Sequence, residues 1–163
     1  MKLLLYCTKA KPYLQVNRYV CPNEFDRYIL DKKQWYSPFG EPLEKLNGKI
    51  VAECDHEVEE IKYRYDTSAY KCNNINDYYY TNTLNFEQLE ERSCLTNKDL
   101  LNCLGQKVGY AIHIKNLHIF DEPRELDNKP CVLISIRPEW LCKILNGEKT
   151  IVVRKKVLKE MLK

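Results

Sequence analysis

Val132–Lys156 reads VLISIRPEWLCKILNGEKTIVVRKK, and the fold turns on this stretch. Val132 to Ile136 is a short apolar run with β-branched residues, long enough for a strand and too short for a helix. Pro138 suits a first helical turn, where its missing N–H would be unpaired anyway. Trp140, Ile144 and Leu145 share a helical face, and Gly147 stands where a helix end wants a left-handed residue. Thr150 to Val153 is β-branched again and predicts a strand. The unit is therefore strand, helix, glycine turn, strand. Lys149 and Arg154 flank its last strand, and Arg137 stands at the other end of the unit. Such clustered cations suit an anion or a polar base.

Composition predicts a single domain over residues 1–163, enough chain for one core. The hydrophobic share is 44% and the charged share 30%, with a net charge of +3. That balance permits contact with nucleic acid without arguing for it, so any basic surface must come from clustering. Eight cysteines include no C-x-x-C pair, and His56, His113 and His118 complete no finger-like pattern. Cys54 and His56 could share a strand face at i, i+2, but no second pair matches them. No metal and no cofactor is expected. Met1–Leu5 is too brief an apolar run for a leader, so reduced thiols in a cytoplasmic protein are expected. No stretch approaches membrane-spanning length, and no membrane partner is expected.

Along the chain, Lys2–Cys7 predicts a buried strand that ends in a polar turn. Residues 13–46 mix aromatic and basic side chains, the pattern of a loop-and-hairpin region or, less commonly, a base-stacking platform. Asn47-Gly48 signals a turn before a strand over Lys49–Asp55 that carries Glu53, and the acidic run after it reads as a solvated face. Residues 62–83, rich in Tyr and Asn, read as an insertion or mobile loop. Tyr78, Tyr79 and Tyr80 could stack on bases but cannot all face one side of a strand. Asn85–Glu91 permits a helix, and Thr96-Asn97-Lys98-Asp99 resembles a capping box for a second helix that stops at Gly105. Gly109–Phe120 alternates as a strand carrying His113, and Asp121-Glu122-Pro123 is expected to end it. Residues 155–163 read as a short basic helix or tail.

The run S-I-R-P-E-W…I-L-N-G-E-K-T-I-x-x-R within the 132–156 unit resembles the signature of ASCH domains, a branch of the PUA-like superfamily. It is most similar to phage and bacterial (Firmicute) members. The resemblance implies an α+β fold, a small PUA-like β-barrel flanked by short helices. It also implies that a strand ending in Tyr6, Thr8 and Lys9 lines a cleft opposite Lys149 and Thr150. In relatives the Arg-Pro-Glu-Trp unit comes first and the other pieces follow, whereas here it comes last. The chain therefore resembles a circular permutant, a monomer if the unit returns within the chain and a dimer if it is swapped.

Two functional classes follow from the resemblance, with a third beside them. The first is an RNA- or nucleotide-binding module in which Lys149, Thr150, Arg154, Arg137, Tyr6, Thr8 and Lys9 line a cationic cleft. The second is a small hydrolase, a ribonuclease or an enzyme of the acylated-nucleoside amidohydrolase kind. In that pattern a threonine nucleophile stands two residues past the Lys-Thr threonine, where this chain has Val152, and a valine cannot attack a carbonyl. The acidic partner's nearest match is Ser93, with Glu90 and Glu91 close by. An enzyme here would instead use Lys149, Glu53 and His113 in acid–base roles. The third class is a protein-interaction module built on the Tyr-rich stretch.

Overall fold

The computed structural model describes residues 2–7, 27–29, 34–36, 48–64, 78–126 and 131–162. Its elements, in chain order, are β1 (Leu3–Cys7), β2 (Arg27–Ile29), β3 (Gln34–Tyr36), β4 (Ile50–Arg64), β5 (Tyr78–Tyr80), α1 (Phe86–Ser93), α2 (Asn97–Leu104), β6 (Gly109–Arg124), β7 (Val132–Ile136), α3 (Pro138–Leu145) and β8 (Ile151–Arg154), followed by a 3-10 turn at Lys159–Leu162. The fold is α+β, a mixed six-stranded sheet with a few short helices. Strand order is β7-β1-β4-β6-β8, with β5 paired to β4, and β2 and β3 form a separate antiparallel hairpin. The expected barrel is corrected here. Closure needs the two end strands to pair, yet among the described residues β7 pairs with β1 and β8 with β6, so the path stays open.

The chain divides into two compact units, residues 1–55 with 115–148, and residues 56–114 with 149–163. β4 and β6 contribute to both. In the first unit, β1 runs parallel to β7, with Leu3 opposite Val132 and Cys7 opposite Ile136, and antiparallel to β4. Its alternation places Leu3, Leu5 and Cys7 in the core, and β7 buries Val132, Ile134 and Ile136 the same way. Gly48 turns the chain at φ +82°, its N–H bonding the Cys7 carbonyl at 3.0 Å, as the Asn-Gly signal predicts. α3 starts with a proline in its first turn and buries Leu141, Cys142, Ile144 and Leu145. Gly147 follows at φ +84°, in the conformation expected of it.

The second unit has its own core, in which Ile61, Tyr79, Leu84, Leu89, Leu100, Leu104, Ile151 and Val153 pack together. Both helices here open with reciprocal capping boxes, Asn85 with Gln88 and Thr96 with Asp99. The stretch expected as an insertion over residues 62–83 is partly regular. Residues 62–64 finish β4, and Tyr78–Tyr80 form β5, antiparallel to it with Arg64 opposite Tyr78. Alternation then decides the tyrosines: Tyr79 is 1% exposed in the core, while Tyr78 and Tyr80 share the other face. β6 also runs past Pro123 to Arg124. Its ladder with β8 covers only Tyr110–His113, so the missing proline N–H costs no bond in that ladder.

Candidate functional site

The strand expected to line a cleft is tied to the end of α1. Lys149 is 5% exposed, and its ammonium donates to the Ser93 carbonyl. The Thr150 N–H donates to the Arg92 carbonyl at 2.9 Å. Carbonyls of a last helical turn lack intrahelical partners, and a cation there also meets the negative end of the helix dipole. Lys149 and Thr150 thus finish α1. Thr150 Oγ1 is buried with no hydrogen-bond partner among the described residues. Arg154 is half-buried, and burial lowers its pKa, opposed by the nearby Cys103. Val152 is in the core at 3% exposure. The matched positions Lys149 and Ser93 do meet, but through a backbone carbonyl.

A second cluster joins β4, β6 and the turn after β5. Glu59 Oε2 lies 3.0 Å from His113 Nε2 and accepts from Thr83 Oγ1 at 2.8 Å. The Thr81 hydroxyl also bonds this carboxylate. Burial pushes the Glu59 pKa up, but the bonds from Thr81, Thr83 and His113 outweigh it and hold the group below the ordinary carboxylate range. Thr81 is 4% exposed, and its oxygen accepts from the Thr83 and Leu84 N–H groups at 3.3 and 3.0 Å. It is the knot of this turn. The carboxylate beside His113 is therefore Glu59. Glu53 instead lies 3.7 Å from His118 Nδ1 in the first unit.

Beside this knot the second unit carries an open pocket of about 730 Å³, lined by Arg64, Tyr78, Tyr80, residues 81–85, Phe86 and Gln88. The Tyr78 ring is 5.9 Å from Tyr80 and 5.7 Å from Phe86, both pairs tilted. These spacings are those of mutually supporting aromatic side chains. Phe86 is 44% exposed, a large apolar surface left to solvent. Arg64 lies opposite Tyr78 on the paired strand and lines the same pocket as Tyr78, Tyr80 and Phe86. Composition hinted at it through the Tyr-rich stretch, but Arg64 and Phe86 join only once β5 pairs with β4.

Of the remaining sequence candidates, Tyr6 is half-buried and Arg137 is exposed, both in the first unit. Arg137 is the residue before α3 and makes no side-chain capping bond. Thr8 and Lys9 lie outside the described residues, as do most of residues 13–46. Among the described residues no group of His, Cys, Asp and Glu is arranged to hold a metal ion, and no helix is long and apolar enough to cross a membrane. Comparison with protein-family models, curated proteins and solved structures gives no match.

Proposed function

We propose that this chain is an ASCH-type, PUA-like module with permuted order that binds RNA or a nucleotide, and that the ligand sits in the aromatic pocket of the second unit. One observation carries the reading: Tyr78, Tyr80 and Phe86 gathered around a pocket of about 730 Å³ with Arg64 at its rim. Stacking on exposed rings is worth about 1–3 kcal/mol per base and suits every base, while a guanidinium supplies the phosphate contact. The family part of the proposal is supported by the strand, helix, glycine turn and strand of residues 132–154. Lys149 acts through structure in this reading, because its ammonium is engaged at the end of α1.

The test is a salt-titrated binding assay on short single-stranded RNA with the wild type, a Tyr78→Ala, Tyr80→Ala pair and Lys149→Met. The ring pair should lose about tenfold or more in affinity, whereas folded Lys149→Met keeps the wild-type value. Loss with Lys149→Met and none with the ring pair would return the ligand to the cationic strand. A hydrolase is the second reading, favoured by the Glu59–His113 contact at 3.0 Å, since a carboxylate that orients an imidazole is the arrangement a general base needs. Product analysis of the same samples tests it: RNA cleavage lost in His113→Ala would establish it, and intact RNA would remove it.

A further inference from the structure

One wall of the pocket is held from behind. Thr81, Asn82 and Thr83 line it in succession, and each is bonded to a β4 side chain that does not line it. Glu59 Oε2 accepts from Thr83 Oγ1 at 2.8 Å, and the same carboxylate takes the Thr81 hydroxyl. Lys62 Nζ donates to Asn82 Oδ1 at 2.8 Å. The Thr81 oxygen already accepts from the Thr83 and Leu84 N–H groups, which occupies both its lone pairs and leaves its proton for Glu59. His113 Nε2, 3.0 Å from Glu59 Oε2, adds a third donor from β6. An ionised carboxylate only accepts, so a single group on β4 serves three donors, two of them in the pocket wall.

We propose that Glu59 and Lys62 are positioning residues for this pocket: from β4 they fix the wall of residues 81–83 for the ligand, without touching the ligand themselves. This rests on the reading of the pocket as an RNA or nucleotide site. A wall set in the free protein spares the complex the cost of ordering three residues on binding. Two consequences separate such a role from plain electrostatics. A carboxylate near the site repels an anionic ligand, so charge alone makes its removal strengthen binding. If Glu59 holds the wall, the same change weakens binding. A lysine that meets a phosphate contributes about one to the slope of log affinity against log salt. A lysine that acts through Asn82 leaves that slope as it is.

The test is calorimetric titration of the full chain with oligo-U of about six nucleotides, a common single-strand site size, at several salt concentrations. Calorimetry reads the fraction of competent chains apart from Kd, so unfolding lowers the first and a displaced wall raises the second. Kd should rise about fivefold in Glu59→Gln and in Lys62→Met, one hydrogen bond's worth in each. Lys62→Met should keep the wild-type salt slope, and in an Asn82→Ala background it should cost nothing further, because the two residues act as one. Thr96→Ala, a destabilising change at a residue that does not line the pocket, should keep the wild-type Kd. The Lys62–Asn82 bond is exposed, so Lys62→Met stays informative even if Glu59→Gln fails to fold. Unchanged or tighter binding in Glu59→Gln, or a shallower salt slope in Lys62→Met, overturns the positioning role. If Tyr78→Ala, Tyr80→Ala still loses affinity in that case, the pocket stands and only its support has been misread. A ring pair that binds like the wild type, or a wild type that does not bind, overturns the pocket reading and this one with it.

Discussion

Glu59→Gln is the substitution whose consequences the structure defines most fully. The carboxylate accepts from Thr83 and Thr81 and faces His113 Nε2 at 3.0 Å. A glutamine keeps the shape but loses the charge and replaces one oxygen with a donor. Hydrogen bonds to a charged group contribute about 1.5–3 kcal/mol against about 0.5–1.5 for neutral ones, and a buried donor left unpaired costs about 1–3 kcal/mol. Thr81, at 4% exposure, cannot turn to water, whereas Thr83 is exposed and can. The net loss is about 2–4 kcal/mol, or roughly 5–15 °C in Tm for a chain of this size. Because the folded pKa of Glu59 is depressed, its contribution is present above the unfolded carboxylate value and lost as pH falls through the folded one. Thermal melts followed by circular dichroism from pH 7 to pH 3 should therefore show the wild-type advantage shrinking at the acid end. A drop of less than about 1 °C at pH 7, or a difference that does not change with pH, would refute the network.

Three further outcomes are expected. Thr96→Ala removes the side-chain half of the α2 capping box, leaving the backbone N–H at position 96 bonded to Asp99, and should cost about 1 kcal/mol in urea unfolding, with little change in m. Gly109→Ala would place a methyl group against the Leu104 side chain in the second core and should destabilise by about 1–3 kcal/mol, an effect that Gly109→Ala combined with Leu104→Ala should partly relieve. Tyr79→Phe leaves the Gly105 carbonyl without the phenol it now receives and should cost about 1 kcal/mol, while RNA affinity stays at the wild-type value because Tyr79 faces the core.

Local chemistry was readable from the sequence wherever it was self-contained. Val132–Ile136, the proline that opens α3, the Thr96 box and the left-handed glycines at 48 and 147 each depend on a few adjacent residues, and each is found where the pattern puts it. Longer readings failed where a charge or a turn former hid a strand. The acidic run after Asp55 belongs to β4, whose alternation still buries Ile61 and sets Glu59 against His113. The asparagines before Tyr78 suggested a loop, yet pairing with β4 makes Tyr78–Tyr80 a strand. Lys149 stood out as a cation beside a strand, but periodicity along that strand cannot reveal that the end of α1 supplies its acceptor. Arg64 and Phe86 gave no signal at all, because only the folded chain, with β5 paired to β4, brings them to the same pocket.

The parallel pairing of β1 with β7 has a consequence for how the protein is made. Leu3 meets Val132 and Cys7 meets Ile136, so one edge of a wholly apolar strand waits for a partner that emerges from the ribosome long afterwards. At about 5–20 residues per second the delay is roughly 6–25 s. For that interval LLLYC offers an unpaired, hydrophobic strand edge, the kind that recruits other nascent chains. Soluble yield in a translating extract should therefore rise when elongation is fast or a holdase chaperone is supplied, and it should respond far more to changes in β7 than to equal changes in β8.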